Sequence, residues 1–206
     1  MYKKIITTFL NNTVKIEPNL RALIIFDSST QNLLNYFLSV FNEKNIFTIC
    51  KKIDLKKNHG FEPPISIANV MKESSLVLCL TKYSMAHSKA RNNFSKIGGR
   101  FLSMPGYSEK LLSDKSLLAN FKKHQIITKK ISRILSLGKK CRILSDDGTY
   151  LEADMTARLG NSCPGHVIEK GSLGSPPDIE SNISPIENKS EGFLTINGSI
   201  ANEKIG

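Results

Sequence analysis

The feature that most constrains the fold is a set of short, continuously apolar runs in the first half of the chain. Ala22 to Phe26 (ALIIF) and Ser75 to Leu80 (SLVLCL) lack the polar alternation of a half-exposed strand, and Ile46 to Cys50 reads as a further short strand between them. Runs of this length and composition suit strands buried on both faces, as in a parallel sheet covered by helices. Between them lie segments with helical spacing. Leu33, Leu34, Phe37, Leu38 and Phe41 follow the turn and N-cap residues Asp27-Ser28-Ser29-Thr30, and Ile67 to Lys72 follows the break at Pro63-Pro64. Met85 to Ile97 is expected to be helical and stopped by Gly98-Gly99, and Arg100 to Met104 is a fourth strand closed by Pro105-Gly106. Strand and helix in this rhythm predict an α/β domain over residues 1–112 with a Rossmann-like parallel sheet.

The character then changes. Ser116 to Leu137 places Leu117, Phe121, Ile127, Ile131, Ile134 and Leu135 at helical spacing, a long amphipathic helix ended by Gly138, so residues 113–138 read as a connection. Beyond it, strand candidates at Cys141 to Leu144, Thr149 to Met155, Ile179 to Ser184 and Phe193 to Ile196 are separated by Gly- and Pro-containing turns. Residues 139–206 thus read as the opening of a β-rich second domain with too few apolar faces to close a core alone. Residues 1–138 are expected to be the stable part and the tail protease-sensitive.

Composition narrows the function classes. A formal charge of +11, from 29 Lys+Arg against 18 Asp+Glu, raises nucleic acid or an anionic membrane as partners. The lysines are scattered in ones and twos and Arg is scarce beside Lys, however, so no nucleic-acid partner is expected. No apolar stretch reaches the length of a membrane span, and no membrane partner is expected either. Cys50, Cys79, Cys141 and Cys163 form no CxxC pair and read as reduced thiols of a cytoplasmic protein.

The common catalytic signatures GxGxxG, the P-loop, HExxH and GxSxG are absent. The four histidines, His59, His87, His124 and His166, have no metal-ligand spacing among themselves. His59 and His124 sit among lysines and read as solvent-exposed. His87 lies after the third strand, where parallel sheets place ligand loops, although a packing role suits it better. The DSST loop could hold an anion at a helix N-terminus, although ordinary capping explains the same residues.

Four segments together carry a family resemblance. SMAHSKAR followed by GGRFLSMPG (84–91 and 98–106), DDGTYLEADMTAR (146–158) and SPPDIESNISPIENKSEGFLTINGSI (175–200) resemble, in order and spacing, motifs of the thermophilic aminopeptidase (aminopeptidase T) family. That family is related to the 2,5-dihydroxypyridine dioxygenases. The resemblance implies a two-metal site of carboxylates and histidines holding Zn, Co or Mn, with Glu180 after Pro176-Pro177 as a metal ligand. It implies a peptide N-terminus as substrate in complete members, and a homodimer or a second polypeptide completing the site. The family's other metal ligands have no counterpart in this sequence, so the chain resembles a C-terminally truncated member and is expected to be inactive alone. Two alternatives stand beside this reading: an iron-dependent ring-opening dioxygenase relative, and a non-catalytic binding module.

Overall fold

The structure, a computed structural model, describes residues 2–17, 19–200 and 203–205; for 199, 200, 203 and 204 it describes the backbone alone. Two compact units emerge, one comprising residues 1–125 and 163–180, the other 126–162 and 181–206. The chain passes between them within a helix and two short strands.

The first unit is built on a parallel sheet. Its strands are β1 (Arg21–Phe26), β2 (Phe47–Lys52), β3 (Leu76–Leu80), β4 (Arg100–Ser103) and the two-residue β8 (Leu173–Gly174), in the order β2-β1-β3-β4-β8. Central strands β1 and β3 are buried along almost their whole length, as their continuous apolar runs require. Alternate residues feed two separate cores. Ala22, Ile24, Phe26, Leu76, Leu78 and Leu80 face α1 (Tyr2–Thr13) and α2 (Gln31–Glu43), where Phe9, Leu33, Phe37 and Phe41 are fully buried. Leu23, Ile25, Val77 and Cys79 face α3 (Ile65–Lys72) and α4 (Lys89–Lys96), against Ile67, Met71 and Phe94. The result is a three-layer α/β/α unit, the fold class the sequence pattern implies.

Local chemistry trims several expected boundaries. The helix expected from Met85 starts only at Lys89, because the Ser88 side chain caps it by accepting the Arg91 N–H at 3.1 Å. Gly98 ends it with φ +91°, and Gly99 packs so closely that a Cβ there would lie 2.1 Å from the Phe94 ring. The long helix expected over 116–137 is divided: a 3-10 turn spans Lys115–Leu118, α5 (Glu109–Leu112) precedes it, and α6 runs from Phe121 to Leu137. Asn120 restarts the helix by accepting the Lys123 N–H at 3.0 Å.

The second unit contains most of α6, β5 (Lys140–Leu144), β6 (Tyr150–Asp154) and β10 (Ser190–Phe193), the strands forming an antiparallel sheet in the order β10-β6-β5. The short strands β7 (Asn161–Cys163) and β9 (Glu180–Asn182) pair, as do β11 (Ser199–Ile200) and β12 (Glu203–Lys204). The expected apolar face of α6 is not what this unit buries. Ile127, Ile131 and Ile134 are 45%, 43% and 67% exposed, whereas Thr128 is buried and bonded to the Ser162 hydroxyl at 2.8 Å. Packing runs along Thr128, Ser132 and Leu135 because Gly160 admits the helix backbone: a Cβ there would meet the Ser132 carbonyl at 2.3 Å. Met155 is the one buried hydrophobic residue among the described residues of this unit, so it lacks a core of its own.

Candidate functional site

In an open parallel sheet, ligands collect outside the carboxyl ends of the strands where the strand order reverses. Here that point lies between β1 and β3. Asp27, directly after β1, is 1% exposed. Its Oδ1 accepts the Ser29 N–H at 2.9 Å and the Ser29 hydroxyl at 2.6 Å, and its Oδ2 accepts the Lys82 N–H at 2.8 Å. Thr30 takes the N-cap position of α2 without capping it; its hydroxyl donates instead to the Leu80 carbonyl at 2.6 Å. Asp27, Ser29 and Thr30 of the DSST loop are therefore a tie between the two central strands, with the Asp27 carboxylate and the Ser29 and Thr30 hydroxyls used internally.

The neighbouring loops are closed in the same way. The Thr81 hydroxyl donates to the Tyr83 carbonyl at 2.7 Å, and the Ser84 and Ser103 hydroxyls lie 3.0 Å apart. Exposed His59 accepts the Ser84 N–H on Nδ1 at 3.1 Å and meets Tyr83 edge-on, a docking role that its lysine-rich surroundings do not announce. His87 is exposed at the turn before α4, and His124 is half-buried.

Glu180, the residue singled out from the sequence, lies at the other candidate site. It opens β9 as an exposed side chain at the end of the segment that returns to the first unit. Two residues earlier, in the irregular stretch between the Pro-Pro turn and β9, stands Asp178, an exposed carboxylate that sequence reading did not single out. Although Asp178 is exposed, partial desolvation of its carboxyl pushes it above its ordinary value; a hydrogen bond from Ser175 opposes this, and the Glu180 charge adds to it. The segment is anchored by Tyr107, whose buried hydroxyl donates to the Pro176 carbonyl at 2.6 Å. Burial, then the Asp178 charge, raises the Tyr107 phenol well above its usual range. Gly165, with φ +79°, lets the same segment close up, since a Cβ there would lie 2.7 Å from the Asp178 carbonyl.

Asp178 and Glu180 give a hard, anionic edge suited to a divalent cation, but a metal centre needs more donors. Among the described residues no group of three or more His, Cys, Asp or Glu side chains is arranged to hold a metal ion. The described residues do not by themselves fit a one-iron or a two-metal centre. The described residues also contain no helix long and apolar enough to cross a membrane.

With this geometry in hand, comparison with known proteins adds the architecture. No protein-family profile matches the chain, and no curated protein sequence does. The solved structure of 2,5-dihydroxypyridine dioxygenase from Pseudomonas putida KT2440 is similar to it, with a TM-score of 0.77 and 13% sequence identity. The chain shares the fold of that dioxygenase. The likeness covers 93% of this chain and 57% of the dioxygenase chain, so this chain spans a little over half the length of the protein it matches. At that identity the likeness is one of fold alone.

Proposed function

We propose that this chain is the α/β-bearing part of a metal-dependent enzyme, offering the Asp178–Glu180 edge to a centre whose other ligands come from further polypeptide. The observation that carries the reading is the likeness to a dioxygenase over 93% of this chain but only 57% of that one. Two features support it: the described residues hold too few ligands for a metal, and among the described residues of the second unit Met155 alone is a buried hydrophobic. The first choice of chemistry is an iron-dependent, ring-opening dioxygenase relative, because the solved likeness lies there. Aminopeptidase chemistry with Zn, Co or Mn is the second reading, favoured by Glu180 beside Asp178, since hydrolytic two-metal sites draw on paired carboxylates.

The test is metal binding, read with and without associated polypeptide. Anaerobic calorimetric titration of the isolated chain with Fe(II), and aerobic titration with Zn(II), Co(II) and Mn(II), is expected to show no stoichiometric site tighter than about 0.1 mM. A complex isolated from its native source is expected to contain metal, and the variant Glu180→Gln to contain less. A tight site on the isolated chain would show that its own residues suffice. A metal-free native complex would remove the enzyme reading, and iron against zinc in the elemental analysis separates the two chemistries.

A further inference from the structure

A second polar concavity lies in the first unit, at the opposite, amino-terminal edge of the parallel sheet. It is a pocket of about 260 Å³, lined among others by Glu17, Lys72, Ser75, Gly98, Arg100 and Lys170. We propose that it binds a small oxyanion of the phosphate class, either inorganic phosphate or the phosphate group of a monoester.

Arg100 carries the argument. It is the first residue of β4, and its backbone N–H is fixed to the Ser75 carbonyl at 3.1 Å. Its side chain is only 5% exposed, although desolvation weighs against the charge and lowers the guanidinium pKa. A buried guanidinium is stabilised when its five N–H donors meet acceptors, and a bidentate carboxylate is the usual solution. Arg100 lacks one. Nη1 donates to the Lys15 carbonyl at 2.6 Å, and Nη2 stands 3.9 Å from Glu17 Oε2, beyond hydrogen-bond range. The fork therefore keeps donors for a ligand.

The charge around it favours an anion. Glu17 is paired with Lys15 at 2.7 Å, and that hydrogen bond and charge, then Arg100 and Lys170, hold its carboxyl below the ordinary range. Lys72 and Lys170 form no ion pair among the described residues, so three cationic side chains line the pocket against one carboxylate that Lys15 already occupies. The wall at Gly98 is compatible with a close ligand, for Gly98 has φ +91° and no side chain to fill the space beside Lys170. A tetrahedral oxyanion is the ligand class that planar guanidinium and two mobile ammonium groups satisfy together.

Amide NMR of the full chain, titrated with inorganic phosphate, phenyl phosphate and NaCl at matched ionic strength, tests the site. Saturable shifts of the Ser75, Gly98 and Gly99 amides are expected with a phosphate ligand and not with NaCl, and the tighter of the two phosphates identifies the source. Arg100→Gln is expected to abolish binding, but that side chain also packs. The decisive variant is therefore Lys72→Gln/Lys170→Gln, whose exposed ammonium groups leave folding intact, with an expected loss of about tenfold or more in affinity. Shifts that NaCl reproduces, or affinity unchanged in the double lysine variant, would overturn the proposal.

Discussion

Asp27 Oδ2 accepts the backbone N–H of Lys82 at 2.8 Å, joining the loop after β1 to the loop after β3 across the point where the strand order reverses. The same carboxylate holds the Ser29 N–H and hydroxyl. Truncation would leave two backbone amides short of an acceptor in a site 1% exposed, and an unmet buried donor costs about 1–3 kcal/mol. Asp27→Ala is accordingly expected to lower unfolding free energy in urea by about 3 kcal/mol, with an unchanged denaturant slope. Asp27→Asn, which keeps one acceptor, should lose less. A cost for Asp27→Ala within about 0.5 kcal/mol of zero would mean that the tie does not hold the central strands.

The segment of residues 163–180 behaves differently from the chain on either side of it. Leu173 and Gly174 pair with Phe101 and Leu102, the Phe101 N–H donates to the Ser172 carbonyl at 2.9 Å, and the Val167 N–H donates to the Thr13 carbonyl at 2.7 Å. Phe101 and Val167 are fully buried, whereas in the second unit Leu144 and Phe193 are 63% and 78% exposed. Brief trypsin treatment is expected to cut first between Lys139 and Arg158 and at Lys189, since stability there is local and low. The fragment spanning 163–180 should nevertheless co-elute with the amino-terminal portion in native gel filtration and separate only in denaturant. Its elution as a free peptide, or a tail as resistant as the sheet, would contradict the division into these units.

How much of this was legible in the sequence depends on the range of the interaction that fixes each element. ALIIF and SLVLCL announce buried parallel strands because their chemistry is local, and the amphipathic spacing of Leu33, Phe37 and Phe41 announces α2 in the same way. β8 announces nothing: two residues, one of them Gly174, become a strand only because β4 offers an unpaired edge far away in sequence. Helix α6 was legible as a helix and misread as to its buried face. Its apolar spacing points one way, but Gly160 opens a contact along Thr128 and Ser132 that no periodicity encodes. At the candidate sites, Glu180 came from a motif resemblance. Its neighbour Asp178 and the Arg100 pocket needed the fold, because the groups that make them distinctive, Tyr107, Lys72 and Lys170, are distant in sequence.

Asp178 and Glu180 make the last expectation one of pH. Partial desolvation, with the Glu180 charge in support, raises the folded-state pKa of the exposed Asp178 above the unfolded 3.8, so between the two values the folded chain binds more protons than the unfolded one. Its contribution to stability is then fully present below 3.8 and is lost as pH rises through the folded pKa, which leaves ionised Asp178 as a liability at neutral pH. Asp178→Asn should raise the midpoint of thermal unfolding at pH 7, and the gain should shrink toward zero as pH falls to about 3.5. Glu180→Gln removes the neighbouring charge and should lower the Asp178 pKa, read directly by carboxyl NMR titration. An Asp178→Asn variant that is destabilised by the same amount at pH 4 and pH 7 would show that hydrogen bonding to Ser175, and not charge at this edge, governs the residue.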